Sequence, residues 1–146
     1  MVDAQTGRRL GAIATGTHDG VDIHPQLQVA QGHHAVHMHT HPGSSSFSTD
    51  DTQLLLEEVV LDVVAAIGAD DTWYVLGLQP GATSPAVPQT EAQYDATIKA
   101  LAPTYRALMR LGALTRAAAW RELTHLTWER IAPGLGLRYD RVEIAP

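Results

Sequence analysis

The chain has 146 residues, a formal net charge of −6, 45% hydrophobic and 18% charged residues, which fits one globular domain with a real core and excludes a disordered tract. The negative balance disfavours non-specific binding to nucleic acid, although eight of the ten Lys and Arg residues follow position 98. There is no cysteine, so disulfides, thiol catalysis and sulfur-ligated zinc are excluded, and no stretch approaches the roughly 20 apolar residues of a membrane span.

The opening MVDAQTG reads as the end of a strand running into a turn, and RRLGAIATGT, from Arg8, as a short edge-like strand punctuated by glycine. VDIHP is another short strand or a lead-in to one helical turn ended by Pro25. HAVHMHTH alternates, with Ala35, His37, His39 and His41 on one face and Val36, Met38 and Thr40 on the other, as a strand does. From Ser48 the period changes: Leu56, Val59, Val60, Val63, Val64 and Ile67 recur at helical spacing, which predicts an amphipathic helix stopped by Gly68. TWYVLGL, from Thr72, is rich in β-branched and aromatic residues and predicts a strand. A linker-like PGATSPAVP, Pro80 to Pro88, leads to a helix over 91–111 that Pro103 should kink or divide. A further helix over 115–131 and a closing strand, LRYDRVEI, complete an α/β or α+β layered domain with a central mixed sheet flanked by helices.

HMHTHPGSSSFSTDD, residues 37 to 51, carries the chemistry. On a strand, His39 and His41 point to the same side about 6.6 Å apart along the chain, close enough for two imidazoles to converge on one ion. Pro42 ends the ladder, and Gly43 to Ser46 form a small polar loop able to fold back over the site. Ser48 and Asp51 make an S-x-x-D capping pattern that would fix an ionised Asp51 in the first helical turn, suited to be a third ligand. Two His and one carboxylate leave a fourth position for water, the mark of a catalytic zinc. Each part also has a plainer meaning: S-x-x-D is commonly a cap alone, and clustered histidines are commonly surface polar residues. The joint pattern at a strand-to-helix junction is what favours a metal site.

His39-Thr40-His41-Pro42, then GSSSF, then Ser48-Thr49-Asp50-Asp51 resembles the H-x-H-P…S-x-x-D signature of the JAMM (MPN+, or JAB) metalloproteases. The match covers roughly residues 1 to 80, with 90–146 as a helical extension and closing strand. The resemblance implies a JAMM-type, cytidine-deaminase-like layered fold and a zinc peptidase or isopeptidase acting on a protein or peptide. His39, His41 and Asp51 would bind Zn²⁺, and Ser48 would help hold the oxyanion with a hydroxyl proton that capping leaves free. The family also uses a glutamate upstream of H-x-H-P as general base. Between Met1 and His41 this chain has no Glu, only Asp3, Asp19 and Asp22, of which Asp22 is the candidate substitute. Its absence implies either a domain truncated at its N-terminus, cut from a larger parent protein, or a weak or inactive enzyme. The flanking DAQTGRRLGAIATGT and THLTWERIAPGLGLRYDRVEI are similar to JAMM-like domains of phage head-morphogenesis proteins and bacterial polymorphic toxins. That similarity implies a cytoplasmic or phage-associated setting and, as the second reading, an inactive binding or structural module. A nucleobase deaminase, the third, would need Cys ligands and a Glu beside the His.

His37 shares the ligand face, as a packed residue or an outer hydrogen-bond donor; His33 and His34 should face solvent, and His125 should be a polar residue of the last helix. Trp73, Trp120 and Trp128 are expected in the core. Arg106, Arg110, Arg116 and Arg121 recur at near-helical intervals, as a solvated face or as a docking surface for an acidic partner.

Overall fold

The computed structural model describes residues 1–17 and 20–143, so Asp19 and the final Ile144 of the expected closing strand lie outside the described residues. The chain folds as a mixed α/β domain around a five-stranded sheet in sequence order. Its strands are β1 (Val2–Asp3), β2 (Ala35–His41), β3 (Leu61–Gly68), β4 (Thr72–Leu78) and β5 (Leu137–Glu143). Helices α1 (His24–Val29), α2 (Thr49–Glu57), α3 (Val87–Arg110) and α4 (Arg116–Ile131) interleave with them. β2 and β3 run parallel, joined through α2, and the other neighbours are antiparallel.

Several expectations are corrected. The helix predicted through Ile67 ends at Glu57, and Leu61–Gly68 is a strand instead. The run LDVVAAIG is apolar at nearly every position, so it satisfies helical and extended templates alike. Central parallel strands characteristically read as such continuous runs, and its β-branched Val63, Val64 and Ile67 favour extension. The turn between the two elements leaves Val59 97% exposed, which a core-facing helical position would not be. The stretch from Arg8 forms no strand; its one ladder contact is an isolated bridge between Arg9 and Val2. Pro25 does not end a helix but opens α1, where its missing N–H costs nothing. Pro88 likewise sits in the first turn of α3, which begins at Val87 inside the expected linker and runs undivided past Pro103.

The core lies against one face of the sheet. Val64, Ala66, Tyr74, Leu76 and Leu137 pack there with Phe47, Leu55 and Trp128. The alternate residues Val63, Ile67, Trp73 and Val75 belong to no core cluster. Trp128 is wholly buried, whereas Trp120 is 51% exposed, contrary to expectation: it falls on the outer side of α4. Among the described residues no helix is long and apolar enough to cross a membrane.

β1 pairs with β2 only at Val2↔Val36 and Asp3↔Ala35, so the rest of β2 has β3 on one side and, among the described residues, no strand on the other.

Candidate metal centre

β2 delivers three histidines to one face. The rings of His37 and His39 stack at 5.1 Å and 19°, and those of His39 and His41 lie 4.7 Å apart. Pro42 and the turn Ser44 N–H to His41 O (2.9 Å) then reverse the chain toward α2. Ser48 caps that helix with a reciprocal box: the Asp51 N–H donates to Ser48 Oγ at 3.2 Å, and the Ser48 N–H donates to Asp51 Oδ2 at 2.8 Å. The result sets Asp51 Oδ1 3.1 Å from His39 Nε2 and Oδ2 3.5 Å from His41 Nε2, while the two Nε2 atoms stand 2.8 Å apart. Ligand atoms of His39, His41 and Asp51 all lie within 4.8 Å of one another, close enough to hold one metal ion. The structure thus brings together the three residues that the sequence pattern singles out as ligands.

The donor chemistry fits a cation. His41 Nδ1 is 2.8 Å from the Ser45 carbonyl, which can only accept, so Nδ1 carries a proton and Nε2 is the ring nitrogen that faces His39 and Asp51, with a lone pair for a cation when the ring is neutral. Burial alone would raise the Asp51 carboxyl, but hydrogen bonds with His39, His41 and Ser48 outweigh it and hold the group far below the usual carboxylate range. Burial would lower His41, yet its bonds to Asp51 and the Ser45 carbonyl raise it above the ordinary imidazole value. Two ring nitrogens and a carboxylate at this separation are mutually repulsive unless a proton or a cation sits between them. His39 departs from the usual pattern. Its Nδ1 is buried without a partner, so packing against His37 orients the ring in place of an outer hydrogen bond.

Ser48 is placed as expected, but its proton is not free: Oγ donates to Asp51 Oδ2 at 2.7 Å. His37 is packed, with burial first and then the neighbouring His39 pushing it down to about 4. His33 bonds Asp3 at 2.8 Å and is not simply solvated, while His34 is exposed and bonds Asp62 at 3.0 Å. Of the upstream carboxylates, Asp3 accepts from Gln5, Thr6 and His33, and the exposed Asp22 accepts from the His24 N–H at 2.9 Å. Neither lines the groove of about 920 Å³ onto which the site opens; Asp50 and Asp51 are the carboxylates that do, among the described residues. Arg106, Arg110 and Arg116 are exposed, and Arg121 is tied to Asp70 at 2.6 Å.

Residues beyond position 70 hold the loop between Pro42 and Ser48, a role the sequence reading assigned to none of them. The Phe47 carbonyl accepts from Trp128 Nε1 at 2.9 Å and from Tyr94 OH at 3.5 Å. Tyr74 OH donates to the Ser44 carbonyl at 2.9 Å. Ser46 Oγ shares a 2.9 Å hydrogen bond with Tyr139 OH, which bonds His125 Nδ1 at 3.0 Å, and the Ser46 N–H donates to Thr124 Oγ1 at 3.2 Å. The available signal was that a buried Trp or Tyr needs an acceptor for its polar tip, and a strand-to-helix loop is rich in unpaired carbonyls.

No protein-family model, no curated protein and no solved structure matches this chain. What it does is therefore read from its own geometry.

Proposed function

We propose that this chain is a zinc-dependent hydrolase of peptide or isopeptide bonds of the JAMM type, with slow turnover. The observation that carries the reading is the convergence of His39, His41 and Asp51 at a groove of about 920 Å³. His39 and His41 would hold Zn²⁺ through Nε2, and Asp51 through the carboxylate that the capping box fixes. When bound, zinc polarises a carbonyl and lowers the pKa of water toward about 7. Turning Ser48 Oγ away from Asp51 would let its proton meet an oxyanion, leaving the Ser48 N–H on the carboxylate.

Proton transfer is the weak step. Asp51 is committed as a ligand, Asp3 and Asp22 are engaged elsewhere, and Asp50 is the exposed carboxylate left on the groove. That arrangement supports slow hydrolysis and equally favours a second reading, a metal-holding module without turnover, in a phage-type or toxin-type parent. The test is cleavage of an unfolded protein and of a lysine-linked branched peptide by the zinc-loaded chain. Slow hydrolysis abolished by chelation and by Asp51→Asn is expected. Stoichiometric zinc with no hydrolysis would overturn the enzyme and leave the module.

A further inference from the structure

The hairpin of α3 and α4 carries, at its outer end, a charge opposite to that of the whole chain. Between Asp95 and Glu122 there is no Asp or Glu, but there are Lys99, Arg106, Arg110, Arg116 and Arg121, in a chain of net charge −6. Lys99 lies 3.9 Å from Asp95, and Arg121 is held by Asp70 at 2.6 Å. Arg106, Arg110 and Arg116 are exposed and pair with no acid among the described residues.

This end has its own support and an apolar apex. Leu101 and Tyr105 of α3 form a small core with Ala119 and Leu123 of α4, separate from the core against the sheet. Where the helices join, Leu111 is 80% exposed, Gly112 and Ala113 are exposed, and Trp120, one turn into α4, is 51% exposed. The N–H groups of the apex are already used. Gly112 donates to the Met109 carbonyl at 3.1 Å and Ala113 to the Leu108 carbonyl at 3.0 Å, the Schellman closure of a helix, with Gly112 at φ 70°. Helix geometry then orders the side chains by depth. Arg106 stands about 7.5 Å behind Leu111 along α3. Side chains tilt toward the N-terminus of their own helix, so Arg106 and Arg110 lean back from the apex, whereas Trp120 leans toward it.

We infer that the outer end of this hairpin docks on an anionic lipid surface, with Leu111 and Trp120 entering the interface and Arg106, Arg110 and Arg116 at the level of the lipid phosphates. Apolar groups that lie in a bilayer surface reach about 5–10 Å into it, which matches the step from Leu111 back to Arg106. Arginines at that level gain from a negative leaflet, and tryptophan is an interfacial residue by chemistry, with an apolar ring and one N–H. An apex whose backbone donors are paired enters such a layer without stripping water from them. An acidic polypeptide or a nucleic acid would be met by the arginines alone and would leave the leucine ahead of them without a role. None of these residues lines the groove at the metal centre, so the docking requires no zinc.

The test is sedimentation of the full chain with vesicles of phosphatidylcholine, alone or mixed with phosphatidylserine at about 30%. Binding about tenfold tighter to the mixed vesicles is expected, and it should be lost near 1 M salt, where screening acts within about 3 Å. Leu111→Asn should weaken it by about tenfold, and so should Arg106→Gln combined with Arg110→Gln. These side chains are exposed, so thermal unfolding should match that of the parent. Brominated lipid should quench tryptophan emission in the parent and much less in Trp120→Phe. Equal sedimentation with the two vesicles would overturn the proposal, as would undiminished binding by Leu111→Asn. Tighter binding to polyglutamate or single-stranded DNA than to the mixed vesicles would make the occupant a soluble acidic polymer and overturn it too.

Discussion

Ser48 does two things with one hydroxyl: its oxygen receives the Asp51 N–H and its proton goes to Asp51 Oδ2. The cap and the candidate ligand are one hydrogen-bonded unit, so the residue that starts α2 also sets the angle at which the carboxylate faces His39. Ser48→Ala should therefore cost about 1 kcal/mol of stability in chelator, as cap deletions do, and also weaken zinc binding by about 10–100-fold. Thermal unfolding and calorimetric zinc titration separate the two effects. Zinc affinity equal to that of the parent chain would show that the serine serves the helix alone. At this scale the sequence was informative. Period-two spacing put His39 and His41 on one face, and S-x-x-D put a fixed acid beside them. The commitment of the serine proton was not legible, because it depends on the rotamer that brings Asp51 Oδ2 back to Ser48.

At the scale of elements, the two faces of the sheet differ. Cross-strand partners share a face, so Met38, Ala65, Val75 and Asp140 form one row on the side without a core cluster, while Tyr74 and Leu76 are wholly buried on the other. Leu76→Ala should cost about 2–5 kcal/mol, and Val75→Thr one residue away under about 1 kcal/mol, by denaturant unfolding. Equal losses would mean that the outer face is as packed as the inner. The same asymmetry explains which elements could be read from sequence. β4 announces itself by β-branched and aromatic residues, and α4 starts where the sequence places it, the structure adding that the Thr115 hydroxyl caps it by accepting the Ala118 N–H at 3.1 Å. β3 does not, because a centre strand apolar along most of its length has lost the alternation that separates strand from helix. The stretch after Arg8 failed for the opposite reason: its composition suits an edge, but it stands off across the groove and bridges only Val2.

Across the whole molecule, the H-x-H-P…S-x-x-D segment is not self-sufficient. Its loop is gripped by Tyr74 on β4, Tyr94 on α3, Thr124 and Trp128 on α4, and Tyr139 on β5. The stretch after position 90, which from the sequence looked like an extension, supplies Tyr94, Thr124, Trp128 and Tyr139 as the rear wall of the site. Such contacts span up to 93 positions between Ser46 and Tyr139, beyond the reach of any local pattern. The function proposed for this chain returns to one cation shared by β2 and α2. The most direct test is zinc K-edge absorption on the dialysed, zinc-loaded chain. One zinc per chain is predicted, with four nitrogen or oxygen neighbours at about 2.0–2.1 Å and the outer-shell scattering of two imidazoles, reduced to one in His41→Ala. Less than stoichiometric zinc after dialysis, or a spectrum without a pair of imidazoles, would contradict the account.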